Sequence, residues 1–160
     1  MIKTIEDNDV FEAIKLMNKS TKENSYGGYD RNEAAWISFF LNIVAKQKEN
    51  NPHYIAIGEY KDNKLIGFLL GSTYNSYYNN ICTMDVKDCI IDKDVATPFT
   101  VTKLFNAMIS HVKSHGGSRW RADSIRMTEH SENYVNLLKL KYGAETYYSA
   151  HGIIKENENE

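Results

Sequence analysis

Apolar residues recur at helical spacing in the first third of the chain. A short predicted strand, Ile2–Ile5, is followed by Asp9 and, three residues later, Glu12, which is the pattern of a capping box at a helix start. The apolar face of this first helix is predicted to be Val10, Ala13, Ile14 and Met17. The pattern therefore predicts a strand and then an amphipathic helix.

A second helix is predicted after a loop that contains Gly27 and Gly28. Asp30 with Glu33 repeats the capping-box pattern, and Asn50–Pro52 predicts the end of the helix because the residue before a proline disfavours helical geometry. The apolar positions at helical spacing are Trp36, Phe39, Phe40, Ile43 and Val44.

From His53 onward the pattern changes to strands. Tyr54–Tyr60 and Leu65–Tyr74 predict a β-hairpin with an Asp-Asn turn, and Ile81–Ile91 predicts a long third strand. Because side chains alternate along a strand, Asp85 and Asp88, three residues apart, are expected on opposite faces.

The last third of the chain predicts a crossover helix, a strand, a helix and closing strands. Thr97-Pro98 has the pattern of an N-cap followed by proline at the first helical position, and Gly116-Gly117 ends the helix. Its apolar face is Val101, Leu104, Phe105, Met108 and Val112. The later elements are a strand over Trp120–Met127, a helix over Ser131–Tyr142 capped by Gly143, and one or two strands over Glu145–Ile154. The order is β-α-α-β-β-β-α-β-α-β, an α/β class with a crossover to a parallel strand.

Length and composition indicate one domain. The chain has 160 residues, 42% of them hydrophobic, and neither a repeat nor a linker-like segment, so we expect one domain over residues 1–155 and a frayed acidic tail over residues 156–160. With 19 Lys and Arg against 21 Asp and Glu, we expect no general affinity for nucleic acid. No apolar run approaches the roughly 20 residues that a membrane helix needs. The sequence predicts no membrane partner.

The two cysteines, Cys82 and Cys89, are seven residues apart on the predicted third strand. Alternation places them on opposite faces, where they cannot pair. Together with a charged N-terminal segment that does not have the pattern of a secretion signal, this predicts a reducing, cytoplasmic location.

Several local features occur in an order that resembles the GNAT acyltransferase superfamily over about residues 1–155. They are the opening Ile2–Ile5 with Asp9, the hairpin that closes on Leu65-Ile66-Gly67, the Leu104-Phe105 pair in the crossover helix, and Leu140–Gly143 at the end of the fourth helix. The resemblance implies a mixed, mostly antiparallel sheet with helices on both faces. It also implies acetyl-CoA in the gap between two splayed parallel strands, and direct attack of a substrate amine on the thioester.

The resemblance further implies which residues contact the cofactor. They are Ile90, Ile91, Thr97, Thr100, Val101 and Asn133. The family carries an Arg or Gln and spaced glycines at the start of the crossover helix, where backbone N–H groups hold the pyrophosphate. The corresponding stretch here, Ala96–Val101, has neither a glycine nor a basic residue, and Pro98 has no N–H. The predicted cofactor site is therefore non-standard.

Acid–base chemistry also has candidates. A general base would be a carboxylate or His near the strand ends that face the gap, and we rank Glu129 and Asp88 ahead of Asp85 and His130. The family commonly has a Tyr as general acid four residues before the glycine that ends the fourth helix. That position is Lys139 here, and Tyr142 and Tyr134 are substitutes if the register differs.

Three other groups of residues have candidate binding roles. His111 and His115 have the spacing of a metal pair, but no third ligand lies close by in sequence, so we expect no metal. Arg119 and Arg121 share a strand face and form either an anion contact or an ion-paired surface. Tyr74, Tyr77 and Tyr78, in an Asn- and Ser-rich loop, have the composition of a protein-contact surface.

Two functional hypotheses remain open. In the first, the protein is an acyl-CoA-dependent N-acetyltransferase that acts on a small-molecule or protein amine through its non-standard cofactor site. In the second, it is a catalytically inactive GNAT-like binding or assembly module, for example a viral or host-interacting component. That module would contact a protein partner through the Tyr-rich loop and the Arg-bearing face.

Overall fold

A computed structural model of the chain describes residues 1–23, 32–75, 82–122 and 129–144. The chain divides into two compact units, Met1–Ile125 and Arg126–Glu160. The first unit contains a five-stranded sheet and the helices that cover it. Within the described ranges, no helix is long and apolar enough to cross a membrane.

The order of the elements confirms the predicted α/β class as far as the fourth helix. In chain order the elements are β1 (Ile2–Thr4), a short 3-10 turn (Asp7–Asp9), α1 (Val10–Glu23), α2 (Glu33–Lys48), β2 (Tyr54–Lys61), β3 (Lys64–Asn75), β4 (Cys82–Ile91), α3 (Pro98–Ser114), β5 (Arg119–Arg121) and α4 (Glu129–Tyr142). Glu129 is the first residue of α4, and the part of the predicted Trp120–Met127 strand beyond residue 122 lies outside the described residues. The predicted closing strands, Glu145–Ile154, lie outside the described residues. The expectation of one domain over residues 1–155 stays a prediction.

The sheet is mixed and mostly antiparallel, as predicted. Its strand order is β1-β2-β3-β4-β5; the first three pairings are antiparallel, and β4 pairs with β5 in parallel after the α3 crossover. The β2–β3 hairpin turns at Asp62 and Asn63, whose φ angles are 50° and 60°. Two successive positive φ values match the right-handed twist of the flanking strands, which confirms the predicted Asp-Asn turn.

Both predicted helix caps at the N-terminal end of the chain were wrong. Asp9 ends the 3-10 turn, where its Oδ2 accepts the Glu6 N–H at 2.9 Å, and Glu12 instead accepts the Leu65 N–H at 2.8 Å. Glu12 thereby joins α1 to β3 across 53 residues. For α2 the cap is Asn32, whose Oδ1 accepts the Ala35 N–H at 3.0 Å, two residues after the predicted Asp30.

A β-bulge in β4 changes which side chains share a face. Leu70 of β3 lies opposite Asp88, but the next residue, Gly71, lies opposite Val86, so Lys87 is an extra residue in β4. Asp85 pairs with Ser72 of β3, and Ser72 is two residues from Leu70, the partner of Asp88. Because residues two apart on a strand share a face, Asp85 and Asp88 lie on the same face of the sheet. The prediction of opposite faces was wrong because it assumed uninterrupted alternation.

The bulge also corrects the reasoning about the cysteines. Cys82 pairs with Asn75 and Cys89 with Leu69, six residues apart on β3, so the two cysteines share a face. At about 3.4 Å per residue they are roughly 20 Å apart along the strand. Both are free thiols, and distance rather than direction prevents their pairing.

Helices cover both faces of the sheet, as predicted. On one face α1 and α2 bury an apolar cluster in which the rings of Trp36, Phe40 and Phe68 lie 5.2–6.2 Å apart. On the other face lies α3, whose predicted apolar positions are all buried. There the ring of Phe105 packs edge-on against Trp120 of β5 at 5.2 Å.

A buried carboxylate fixes the first turns of α3 to the sheet. Glu59 of β2 is 3% exposed and forms an ion pair with Lys103 of α3. Its Oε2 is buried without a hydrogen-bond partner among the described residues. Burial raises the pKa of Glu59, but hydrogen bonds from Lys103 and Thr100 outweigh it and hold that pKa below its usual range.

We expect Lys103→Met to destabilise the protein more than Glu59→Gln. Losing Lys103 leaves a buried, unpaired carboxylate, which costs about 3 kcal/mol, whereas losing the Glu59 charge leaves a lysine that reaches solvent and costs about 1 kcal/mol. Urea unfolding measures both. The double variant Glu59→Gln/Lys103→Met is the control and should be more stable than Lys103→Met alone. Equal losses in the two single variants would contradict this ranking.

Candidate functional site

The first residues of β4 pair in parallel with β5. Their register joins Thr83, Met84 and Asp85 to Arg119, Trp120 and Arg121, which is the whole of β5 as the structure describes it. From Val86 to Ile91, β4 pairs with β3. The family resemblance places the thioester arm of a cofactor between these two parallel strands.

A charged cluster holds the two strands together where they meet. Asp85 is 5% exposed; its Oδ1 lies 3.3 Å from Arg121 Nε and its Oδ2 accepts from Arg121 Nη2 at 3.3 Å. Lys87, the bulge residue, also binds this carboxylate. The Arg121 guanidinium lies 4.6 Å from the ring centroid of Tyr74. The sequence predicts either an anion contact or an ion-paired surface for Arg121, and the structure shows the ion pair with Asp85.

Asp88 lies on the same face of β4 as Asp85, beyond the bulge. Its Oδ2 accepts the Trp36 indole N–H at 2.8 Å. Trp36 is in the first turn of α2 and is packed against Phe40 and Phe68, so a rigid aromatic cluster orients this carboxylate. A carboxylate in a fixed orientation can bind an ammonium group and can accept its proton.

The start of α3 offers few backbone N–H groups to an anion. Thr97 donates its N–H to Thr100 Oγ1 at 3.2 Å, and the Thr100 N–H is donated to Thr97 O at 2.8 Å. Pro98 has no N–H. Of the first four positions of the helix, only Phe99 has an N–H for which the described residues show no acceptor. A diphosphate cradle requires several convergent donors.

The loop before α3 carries two carboxylates that are already paired. Lys19 of α1 donates to Asp92 Oδ1 at 2.6 Å and to Asp94 Oδ2 at 2.5 Å. Hydrogen bonds to these carboxylates raise the pKa of Lys19, and the bond from Lys19 is the main reason that the pKa of Asp92 lies below its usual range. Lys19 is therefore paired with both carboxylates of this loop within the fold.

These observations bear on how well coenzyme A fits. The start of α3 offers few backbone donors among the described residues, and a diphosphate needs several that converge on it. The described residues at the start of α3 are therefore poorly suited to a diphosphate.

The predicted cofactor residues have different surroundings. Ile90 lies in the apolar cluster under α1 and α2, and Ile91 lies beside Gly67 on the α3 face. Thr100 is 2% exposed, and Val101 is 4% exposed. The Thr100 hydroxyl accepts from Thr97 and hydrogen-bonds Glu59, so it stabilises the helix start rather than facing solvent.

The remaining predicted residues lie in α4, in the second unit. Glu129 is its first residue, Asn133 and Tyr134 fall in its first half, and Lys139 and Tyr142 in its last turns. Lys139 is exposed, and the ring of Tyr142 lies 5.9 Å from Lys141 Nζ. Their catalytic and cofactor-binding roles stay predictions.

Sequence reasoning missed two residues of the site, Trp36 and Lys19. Helical spacing predicts Trp36 on the apolar face of its helix, where its ring does lie, but its N–H is donated to Asp88, 52 residues further along the chain. Lys19 meets Asp92 across 73 residues. No local spacing signals contacts of this range.

His53 and His115 line an open depression on the α3 face, together with Thr73, Cys82 and Val112. The rings of His111 and His115 are tilted by 45° with centroids 4.5 Å apart, and His111 Nε2 donates to the Pro52 carbonyl at 2.9 Å. Among the described residues, no three His, Cys, Asp or Glu side chains are arranged to hold a metal. His111 is half-buried, and burial lowers its pKa.

Comparisons with known proteins bear on the fold. Neither a protein-family model nor a curated protein matches the chain. An aminoglycoside acetyltransferase from an uncultured soil metagenomic sample, solved with trehalose, matches with a TM-score of 0.69 and 14% identity over 98% of this chain and 96% of that chain. The PaiA N-acetyltransferase of Thermoplasma acidophilum, solved with coenzyme A, has a TM-score of 0.69 and 16% identity over 86% of each chain. A transcriptional regulator from Bacillus halodurans C-125 has a TM-score of 0.72 and 9% identity over 97% of this chain and 99% of that chain.

These likenesses confirm the fold predicted from the order of the elements. The sequence identities are low, whereas the coverage is nearly complete in two of the three cases. The protein has the GNAT fold.

We expect His111 to make the protein less stable in mild acid. Because the folded-state pKa of His111 lies below 6.5, the unfolded chain binds a proton more readily, and stability falls as the pH drops from about 6.5 towards the folded value. Urea unfolding between neutral pH and about pH 5 measures this slope. His111→Gln should flatten it and His53→Gln, at an exposed position, should not. The same slope in His111→Gln as in the unmodified protein would exclude His111 as its source.

Proposed function

We propose that the protein is a GNAT-fold acyltransferase that moves an acyl group from a thioester to an amine. The observation that carries the proposal is the fixed orientation of Asp88 on β4, the strand that pairs in parallel with β5: its Oδ2 accepts the Trp36 indole N–H at 2.8 Å. Acetyltransferases with the same fold, among them one solved with coenzyme A, support the reaction class.

The reaction sets the groups that such a site must supply. A bond forms between the amine nitrogen and the acyl carbon, the carbon–sulfur bond breaks, the nitrogen loses a proton and the departing sulfur gains one. The site therefore needs one proton acceptor and one proton donor. We assign the acceptor to Asp88. The donor candidates are Tyr142, Tyr134 and Lys139, which rest on the resemblance, as does Glu129 as an alternative acceptor.

Asp88 suits the role of acceptor better than Asp85. Arg121 and Lys87 both bind the Asp85 carboxylate, so protonating it would break the cluster that joins β4 to β5. Asp88 Oδ2 accepts from the Trp36 indole on the α2 side of the sheet, so the orientation of this carboxylate is fixed. The negative charge of Asp88 also favours the binding of a substrate with a cationic amine over that of a neutral substrate.

A second candidate function is a binding module without catalysis. The observation that favours it is the start of α3, which does not suit a diphosphate. Tyr77 and Tyr78 of the proposed contact loop lie outside the described residues, while Tyr74 stacks with Arg121.

We expect Asp88→Asn to lower kcat for amine acylation by about 100-fold or more, because the amide cannot accept the proton. The measurement is transfer from acetyl-CoA and from acetyl-pantetheine to a panel of primary amines and diamines, with thiol release as readout. Asp88→Asn should also lose the acidic limb of the pH–rate profile, and the isosteric amide should leave the urea midpoint nearly unchanged.

Glu49→Gln, an exposed carboxylate paired with Lys46, is the matched control and should keep full activity. Unchanged kcat in Asp88→Asn would exclude Asp88 as the acceptor. Failure to acylate any amine from either donor would favour the binding module.

A further inference from the structure

We infer that Trp36 is a positioning residue for acyl transfer: its indole N–H holds the Asp88 carboxylate in the orientation from which that carboxylate accepts the amine proton. The inference rests on the proposed function and deepens it, because it adds a residue of α2 to the proton acceptor that β4 supplies. Trp36 acts through Asp88 and needs no contact with the substrate.

The ring of Trp36 packs against β3 while its N–H reaches β4. The ring centroid is 6.2 Å from that of Phe68, and Phe68 and Leu70 share a face of β3 because they are two residues apart. Leu70 pairs with Asp88 of the neighbouring strand, whose Oδ2 lies 2.8 Å from the indole nitrogen. The bulge at Lys87 gives Asp88 this face, so the bulge and the indole together determine where the carboxylate lies.

Packing and capping leave Trp36 little freedom to move. Trp36 is 8% exposed, and its ring also packs against that of Phe40, one turn further along α2, at 5.2 Å. The Asn32 cap fixes the first turn of the helix: Asn32 Oδ1 accepts the Ala35 N–H at 3.0 Å, and Asn32 O accepts the backbone N–H of Trp36 at 3.1 Å. Because a tryptophan side chain has only two torsions, a fixed backbone and a packed ring set the direction of the indole N–H.

The hydrogen bond stabilises Trp36 and orients Asp88 at the same time. A buried indole N–H without an acceptor costs free energy, and a neutral acceptor would be enough to avoid that cost. A carboxylate accepts a stronger, charge-assisted bond, and such a bond also favours the ionised form of the carboxylate. An ionised carboxylate held in one orientation is prepared to accept a proton when the amine attacks.

The first test removes the indole N–H and keeps an aromatic ring. We expect Trp36→Phe to lower kcat by about tenfold and to change KM for the amine by less than about threefold, because orientation is lost while the charge of Asp88 remains. The acidic limb of the pH–rate profile should move to higher pH by about one unit, because a hydrogen bond that favours the ionised carboxylate is lost. The measurement is thiol release from acetyl-CoA or acetyl-pantetheine between about pH 5 and pH 9.

Trp120→Phe is the matched control. It is the same substitution in the other tryptophan of the chain, on β5, whose ring packs against Phe105 on the α3 face. It should leave the acidic limb at the pH observed for the unmodified protein, and urea unfolding gives the folded fraction of both variants. If Trp36→Phe keeps the acidic limb in place, or loses activity only in proportion to its folded fraction, Trp36 has a structural role and the inference is overturned.

A double variant tests whether Trp36 acts through Asp88. Asp88→Asn and Trp36→Phe/Asp88→Asn should have the same kcat within about twofold, because no proton acceptor is left to orient. A further loss of about tenfold in the double variant would show that the two residues act independently, which contradicts the inference.

A nuclear magnetic resonance titration observes the contact without substrate. The chain has two tryptophans, so its spectrum contains two indole N–H resonances, and the one that remains in Trp120→Phe belongs to Trp36. We expect the Trp36 resonance to shift as Asp88 is protonated and to lose that pH dependence in Asp88→Asn, whose amide oxygen still accepts the bond. The same pH dependence in Asp88→Asn as in the unmodified protein would overturn the inference, even if Trp36→Phe does not fold.

Failure of the inference and failure of the proposed function give different results. Acyl transfer that depends on Asp88 and not on Trp36 overturns the inference and leaves the proposed function standing. If the unmodified protein acylates no amine from either donor, the proposed function fails and the inference fails with it. A loss of about tenfold in Trp36→Phe, together with the shifted acidic limb and an indole resonance that follows Asp88, supports the inference.

Discussion

The extra residue at Lys87 is the constraint on which the site depends. β4 pairs with β3 along its length and with β5 through Thr83–Asp85. The bulge follows Asp85, where it bends the strand and shifts the alternation of side chains by one residue. It brings Asp85 and Asp88 to one face, so one carboxylate can hold β4 and β5 together while the other accepts the Trp36 indole N–H. Without the extra residue, Asp88 would face α3 instead of Trp36.

The two ends of β4 carry different ion-pair networks. At the beginning of β4, Asp85 binds cations from β4 and β5, and an aromatic ring from β3 supports the guanidinium. After the end of β4, Lys19 reaches from α1 to two carboxylates. Both networks join elements of the fold that are far apart in sequence.

The local sequence pattern predicts the helices and strands better than it predicts which residues are in contact at the site. The hairpin turn at Asp62-Asn63, the Thr97-Pro98 helix start and the apolar face of α3 follow from rules within a few residues, and all three are confirmed. The bulge at Lys87 has no signal in the strand's own sequence, so the relation of Asp85 to Asp88 could not be read from spacing. The cap of α2 shifted to Asn32 because several nearby polar residues can cap equally well. The partners of Asp88 and Asp92 are far along the chain, and only tertiary packing selects them.

The sequence separation of these contacts also indicates the order in which the elements assemble during folding. The antiparallel strands β2, β3 and β4 are joined by short connections, so the chain entropy lost in pairing them is small. Pairing β4 with β5 closes a loop of 36 residues between Thr83 and Arg119, and the Lys19–Asp92 contact closes a loop of 73 residues. Contact-order reasoning places the three-stranded meander early in folding and the docking of α1 late. The loop before α3 would then reach its final shape only in the last stage, when α1 supplies its lysine.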